Sequence, residues 1–306
     1  MRMFTKVIEI VLLFLVLAGC VTTTVPPIAP ASTPFILLVN INAAGDYFIM
    51  GDGTTGVNAS ETITYNYRMA KYETTNAQFS QFIQDGGYND RKYWSTNGWA
   101  QRTAEGWNEP LGWPDPMNNP NHPVGGVSWY EAVAFCNWLS LKEGLAPAYN
   151  SSGQASLSSS GYRLPTETEW EYAAAKGGSG QGERIYPYGD IWDINKDVDV
   201  ANSPNPDKVG SAKVGSRSAE GGDTPQGLSD MGGNVREWCS DNGQDDGNVT
   251  SGINRYYFEN DSTSQPFIIR GGANHCTREE SFRCAAREPV RPFNRGSDYG
   301  FRVVRL

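Results

Sequence analysis

The side chains best suited to chemistry crowd into one stretch near the C-terminus, residues 273–298, which carries Asn274, His275, Cys276, Arg278, Phe282, Arg287, Arg291, Phe293, Asn294, Arg295 and Asp298. Imidazole, thiol, guanidinium, carboxylate and amide groups in one segment serve catalysis or recognition equally well. Arg, aromatic and amide side chains together supply contact area and adaptable hydrogen bonds, as recognition surfaces do. The thiols Cys136, Cys239, Cys276 and Cys284 match no zinc spacing, CxxC being absent. A disulfide among them is permitted outside the cytoplasm, and spacing leaves its pairing open.

Such a segment needs elements to hold it. It is flanked by Phe267-Ile268-Ile269 before Arg270-Gly271-Gly272, and by Tyr299-Gly300-Phe301-Arg302-Val303-Val304. Both runs read as strands bounded by glycines, with a long irregular connection between them. Upstream, strand-like runs fall at 35–39, 47–50 and 63–69. Three helices carry capping-box punctuation: Thr75 with Gln78, Ser128 with Glu131, and Thr166 with Glu169. Phe79, Phe82 and Ile83 form an apolar face on the first; Ala132, Phe135, Cys136 and Leu139 form one on the second, making Cys136 a core thiol. Residues 88–125 show no periodicity and read as a surface loop packing through Trp94, Trp99, Trp107 and Trp113. The acids Glu167, Glu169 and Glu171 read as capping and dipole compensation.

Composition narrows the class. A formal net charge of −9 disfavours nucleic-acid binding, which needs a basic face. Thirty-four Gly and eighteen Pro point to a loop-rich fold rather than a helical bundle. At the N-terminus, Arg2 and Lys6 precede an apolar run and Leu17-Ala18-Gly19-Cys20, which resembles the bacterial lipobox. The expectation is a signal peptide at 1–19, a lipidated Cys20 with a Thr/Pro/Ala-rich tether to residue 45, and a domain over 46–306, anchored to an outer membrane or cell surface by lipid alone.

The domain carries family motifs in order. Lys71-Tyr72-Glu73-Thr74-Thr75-Asn76, Val127-Ser128-Trp129, Arg163-Leu164-Pro165-Thr166-Glu167-Thr168-Glu169-Trp170-Glu171-Tyr172, Gly227 to Trp238 and the terminal RGG…CAAR…GFRVVR resemble the formylglycine-generating-enzyme, or sulfatase-modifying factor, family. The resemblance implies an α+β, C-type-lectin-like fold with that family's elaboration, loop-rich and with few helices, the last stretch supplying central strands and a surface site. It implies a structural calcium held by Asp230, Glu237 and the carbonyls of Gly233 and Val235; oxygen donors along a glycine-rich turn suit a hard cation. Catalytic members bind copper through two cysteines in the last stretch. Cys276 stands where the first would be and the second is missing, so no copper is expected.

The last stretch also resembles the variable proteins of diversity-generating retroelements. Within 273–299 every residue fits an NNC codon except Glu279, Glu280 and Glu288. The expected ligand-binding set is Ala273, Asn274, His275, Cys276, Thr277, Phe282, Arg287, Val290, Arg291, Phe293, Asn294, Arg295, Ser297, Asp298 and Tyr299. The function expected is non-catalytic binding of a protein or glycan at the cell surface. The rival is a copper- and oxygen-dependent sulfatase-modifying enzyme, or another enzyme on this scaffold; a third reading is an envelope lipoprotein that works by assembly.

Overall fold

All three capping boxes form. Thr75, Ser128 and Thr166 each accept from the backbone N–H three residues on, and Gln78, Glu131 and Glu169 each reach back to the cap. They start α1 (Asn76–Gln84), α3 (Trp129–Lys142) and α4 (Glu167–Ala175). Between the first two lies α2 (Thr96–Glu105), inside the stretch expected to be loop. It has no apolar stripe, and its ends carry the signal instead: Ser95 caps it and Gly106 closes it at φ 67°. This computed structural model describes residues 35–306 apart from 54–57, 114–118, 177–182, 194, 196–210, 244–251, 255, 274 and 277. Cys20 and the expected signal peptide lie outside the described residues, as does the tether up to residue 34.

Among the described residues the strands are β1 (Leu38–Ile41), β2 (Asp46–Met50), β3 (Ala59–Ile63), β4 (Tyr67–Ala70), β5 (Arg236–Asn242), β6 (Gly252–Ile253), β7 (Phe267–Arg270), β8 (Arg287–Val290), β9 (Tyr299–Gly300) and β10 (Val304–Arg305). They form three sheets, ordered β1-β4-β10, β2-β3-β6 and β8-β7-β5-β9. Strand β1 occupies part of the stretch assigned by sequence to the tether, and pairs antiparallel with β4. The region between β7 and β9 is less irregular than its composition predicts. Strand β8 pairs with β7, Arg270 opposite Arg287, because Pro289 is tolerated on an edge strand.

The last forty residues complete both main cores. Phe301 packs against Phe79 and Phe135 beside α1 and α3. Ile268 and Val304 join Trp170 and the apolar side of α4. Three buried guanidinium groups tie these layers: Arg163 to Glu169, Arg270 to Glu171, and Arg302 to Glu237. Capping therefore accounts for Glu169 only in part, and Glu167 and Glu171 serve as ion-pair partners for Arg287 and Arg270.

Candidate functional site

The C-terminal face is organised around Arg236, the first residue of β5, which pairs in parallel register with Tyr299 of β9. Its Nη1 donates to Asp298 Oδ2 at 2.9 Å, and its Nη2 lies 3.7 Å from both Glu288 Oε2 and Cys276 Sγ. His275 Nδ1 stands 3.9 Å from Asp298 Oδ2. One guanidinium thus links β8, the 293–298 loop and the His275–Cys276 turn. The two carboxylates beside Arg236 favour its charged form against the cost of partial burial.

The expected contact residues divide by burial. Ala273, Cys276, Phe282, Val290 and Asp298 are buried, so none offers a free surface. Arg287 is bonded to Glu167, and Arg295 lies over the Trp107 ring while bonding Glu131 and the Glu109 carbonyl. These two are struts rather than interchangeable contacts. His275, Arg291 and Ser297 are exposed, and Phe293, Asn294 and Tyr299 half-buried. Asn274 and Thr277 lie outside the described residues. Missing from the sequence reading are Arg236 itself and the segment Ile185–Trp192, whose Tyr186 packs with Ala273, Cys276 and Phe282, with Ile185, Tyr188 and Trp192 against them. Aromatic residues spaced by Pro187 and Gly189 were the available signal.

The loop under this face is held by backbone. Gly126 N–H donates to Gly296 O, Val127 N–H to Tyr299 O and Trp129 N–H to Pro292 O. A Cβ on Gly125 would sit 2.2 Å from Ser297 O, so only glycine permits this approach.

The 230–237 turn tests the calcium set. Asp230, Gly233 and Asn234 all take positive φ, at 58°, 92° and 63°. Asp230 Oδ2 accepts from Gly215 N–H, and Oδ1 has no partner among the described residues. Burial pushes the Asp230 carboxyl up to about 6, and burial with Asp230 nearby pushes Glu73 up as well. Glu237, however, accepts from Arg302 with both oxygens at 2.7 Å, and its Oε2 also accepts from Trp170 Nε1 at 2.9 Å. Asp230 fits a cation and Glu237 does not, so the four-residue set is not assembled. A two-thiolate copper site fits no better: Cys276 packs with Tyr186 and Phe282, whereas Cys284 packs in a separate cluster with Cys239. Burial pushes the Cys239 and Cys284 thiols well above their ordinary range.

Mixed helices and small sheets closing on a C-terminal loop face define a C-type-lectin-like scaffold. The chain belongs to the sulfatase-modifying factor enzyme 1-like domain family, whose profile matches residues 39–306. It is 31% identical over 221 residues to a hercynine oxygenase of Mycolicibacterium thermoresistibile, covering 68% of this chain and 44% of that protein. A formylglycine-generating enzyme of Streptomyces coelicolor is 26% identical over 327 residues, covering 90% and 91%. The chain spans about half the length of the hercynine oxygenases it matches. Among solved structures, Treponema denticola variable protein 1 superposes with a TM-score of 0.65 at 23% identity, covering 88% of this chain and 94% of that one, a likeness of fold.

These relatives overturn the expectation that the chain is not an enzyme. That expectation rested on the lipobox, the lectin-like framework and one missing thiol, and the thiol bears on a single copper chemistry. Relatives named for two different activities share the scaffold, so the thiol count does not exclude catalysis.

Proposed function

We propose that this is a lipid-anchored protein displayed at a bacterial surface, which recognises a protein or glycan ligand through its C-terminal face. The carrying observation is the backbone clamp of residues 126–129 onto 292–299 beneath exposed His275, Arg291 and Ser297. A face held by main chain loses little ordering entropy on binding and tolerates exchange of its outer side chains. That tolerance supports diversification by a retroelement. Replacing His275, Arg291, Asn294 and Ser297 together by Ala is expected to leave the melting temperature unchanged and abolish binding to cells carrying the ligand. Binding that survives all four changes would refute this face. A near-copy of the 3′ coding end differing only at adenines, beside a reverse transcriptase gene, tests diversification; its absence removes that part.

The named relatives favour a second reading, oxygen-dependent chemistry at the same face. Incubation with oxygen, copper and a CxPxR peptide tests the formylglycine branch. Conversion of the peptide cysteine to formylglycine would establish it, and an unchanged peptide would remove it.

A further inference from the structure

Beside Arg236, between β5, β7 and β8, lies a cavity of about 110 Å³. Arg236, Arg270 and Arg287 line it together with one carboxylate among the described residues, Glu288. The carboxylates that balance these cations, Glu167, Glu171 and Asp298, come from α4 and the 293–298 loop, and none lines the cavity. Arg270 is 1% exposed; its Nη1 donates to Ala286 O and its Nη2 to Glu171. Its Nε has no hydrogen-bond acceptor among the described residues, Glu167 standing 3.7 Å away. Arg270 therefore lines the cavity with its Nε held only by that longer ion pair.

Two glycines, Gly271 and Gly272, also line the cavity. Gly271 and Gly272 both take positive φ, 93° and 69°, and a Cβ on Gly272 would meet Ser281 O at 2.6 Å. Glycine at 272 is what permits that close approach to Ser281.

We infer that this cavity is a carboxylate subsite of the C-terminal recognition face, which rests on the reading of that face proposed above. A planar, singly charged group with two oxygens suits guanidinium forks, and a space equal to three or four waters, at about 30 Å³ each, admits one such group. The ligand is then one that presents a free carboxylate, from a chain terminus or an acidic side chain.

Titration calorimetry on the full chain tests this with four probes: an N-acetylated alanine tetrapeptide with a free C-terminus, its amide, the amide with one internal glutamate, and inorganic phosphate. A carboxylate probe is expected to bind about tenfold or more tighter than the plain amide. Whichever acid binds identifies terminus or side chain as the source. Arg236→Gln should weaken it about tenfold, and Glu288→Gln should tighten it several-fold by removing the competing charge, on the order of a nearby ion pair's effect. The Glu288 side chain is 48% exposed, so its replacement spares the fold and gives a gain that generic damage cannot mimic. Equal binding of acid and amide, weaker binding by Glu288→Gln, or a preference for phosphate would each overturn the assignment. The fourfold Ala variant reads the outer face alone. Loss of carboxylate binding with that face still active would sink only the subsite.

Discussion

Arg302→Ala should be among the most damaging single changes in the protein. Arg302 is 0% exposed and bonds both Glu237 oxygens at 2.7 Å, together with the carbonyls of Ser229, Ala70 and Lys71 at 3.0–3.2 Å. Without it Glu237 stays buried with Trp170 Nε1 as its remaining donor, near Asp230 and Glu73, for which Arg302 is the compensating charge. Removing one partner of a buried pair costs about 3–5 kcal/mol. At about 2–4 °C per kcal/mol for a domain of this size, the melting temperature should fall by roughly 6–20 °C. Circular dichroism melts and urea titrations of wild type and variant measure it. A second arm separates charge from packing: Arg302→Met with Glu237→Leu removes the orphaned charge and should recover at least half the loss, since apolar replacement of a whole buried pair is often near neutral. A single-variant loss below about 1 kcal/mol, or a double variant as weak as the two singles added, would refute the reasoning.

Other outcomes follow from the same geometry. Burial raises the Asp230 carboxyl from 3.8 to about 6, so the folded state binds that proton more tightly. Its contribution to stability is present below about pH 4 and lost as pH rises through 6; Asp230→Asn should flatten that slope and gain on the order of 1–3 kcal/mol at pH 7, read by urea unfolding across pH 4–8. Gly125→Ala, with its Cβ driven against Ser297 O, should cost about 1–3 kcal/mol and weaken ligand binding with it. Native-state alkylation followed by mass spectrometry should leave Cys136, Cys239 and Cys284 unlabelled until urea is added, because all three are buried at 2% exposure or less. With Glu237 engaged, millimolar calcium should raise the melting temperature by no more than about 1 °C, and sub-micromolar calcium binding by calorimetry would contradict the ion pair seen here.

What the sequence made legible was local. Thr75, Ser128 and Thr166 cap helices because each box is closed by residues three apart, so spacing alone carries it. Helix α2 was missed because Trp99 is its one large apolar side chain and its tertiary packing, not its period, decides the conformation. The family motifs pointed to a C-terminal face but not to which side chains point outward. Phe282 and Val290 look like contacts by type and are core by position, while Arg236 looks like a spectator and bridges three segments. Glu237 and Arg302, far apart in the chain, are joined by strand pairing that no spacing announces.

The order of pairing has a kinetic consequence. Strand β10 closes onto β4, and Arg302 bonds carbonyls 231 and 232 residues earlier in the chain. The sheet begun by β1 and β4 therefore waits for residues 302–305 before it is complete, and the buried acid cluster waits with it. Contacts of such long sequence separation slow folding. During synthesis the earlier part of the domain would emerge without the strand and the cation that complete its sheet and its acid cluster.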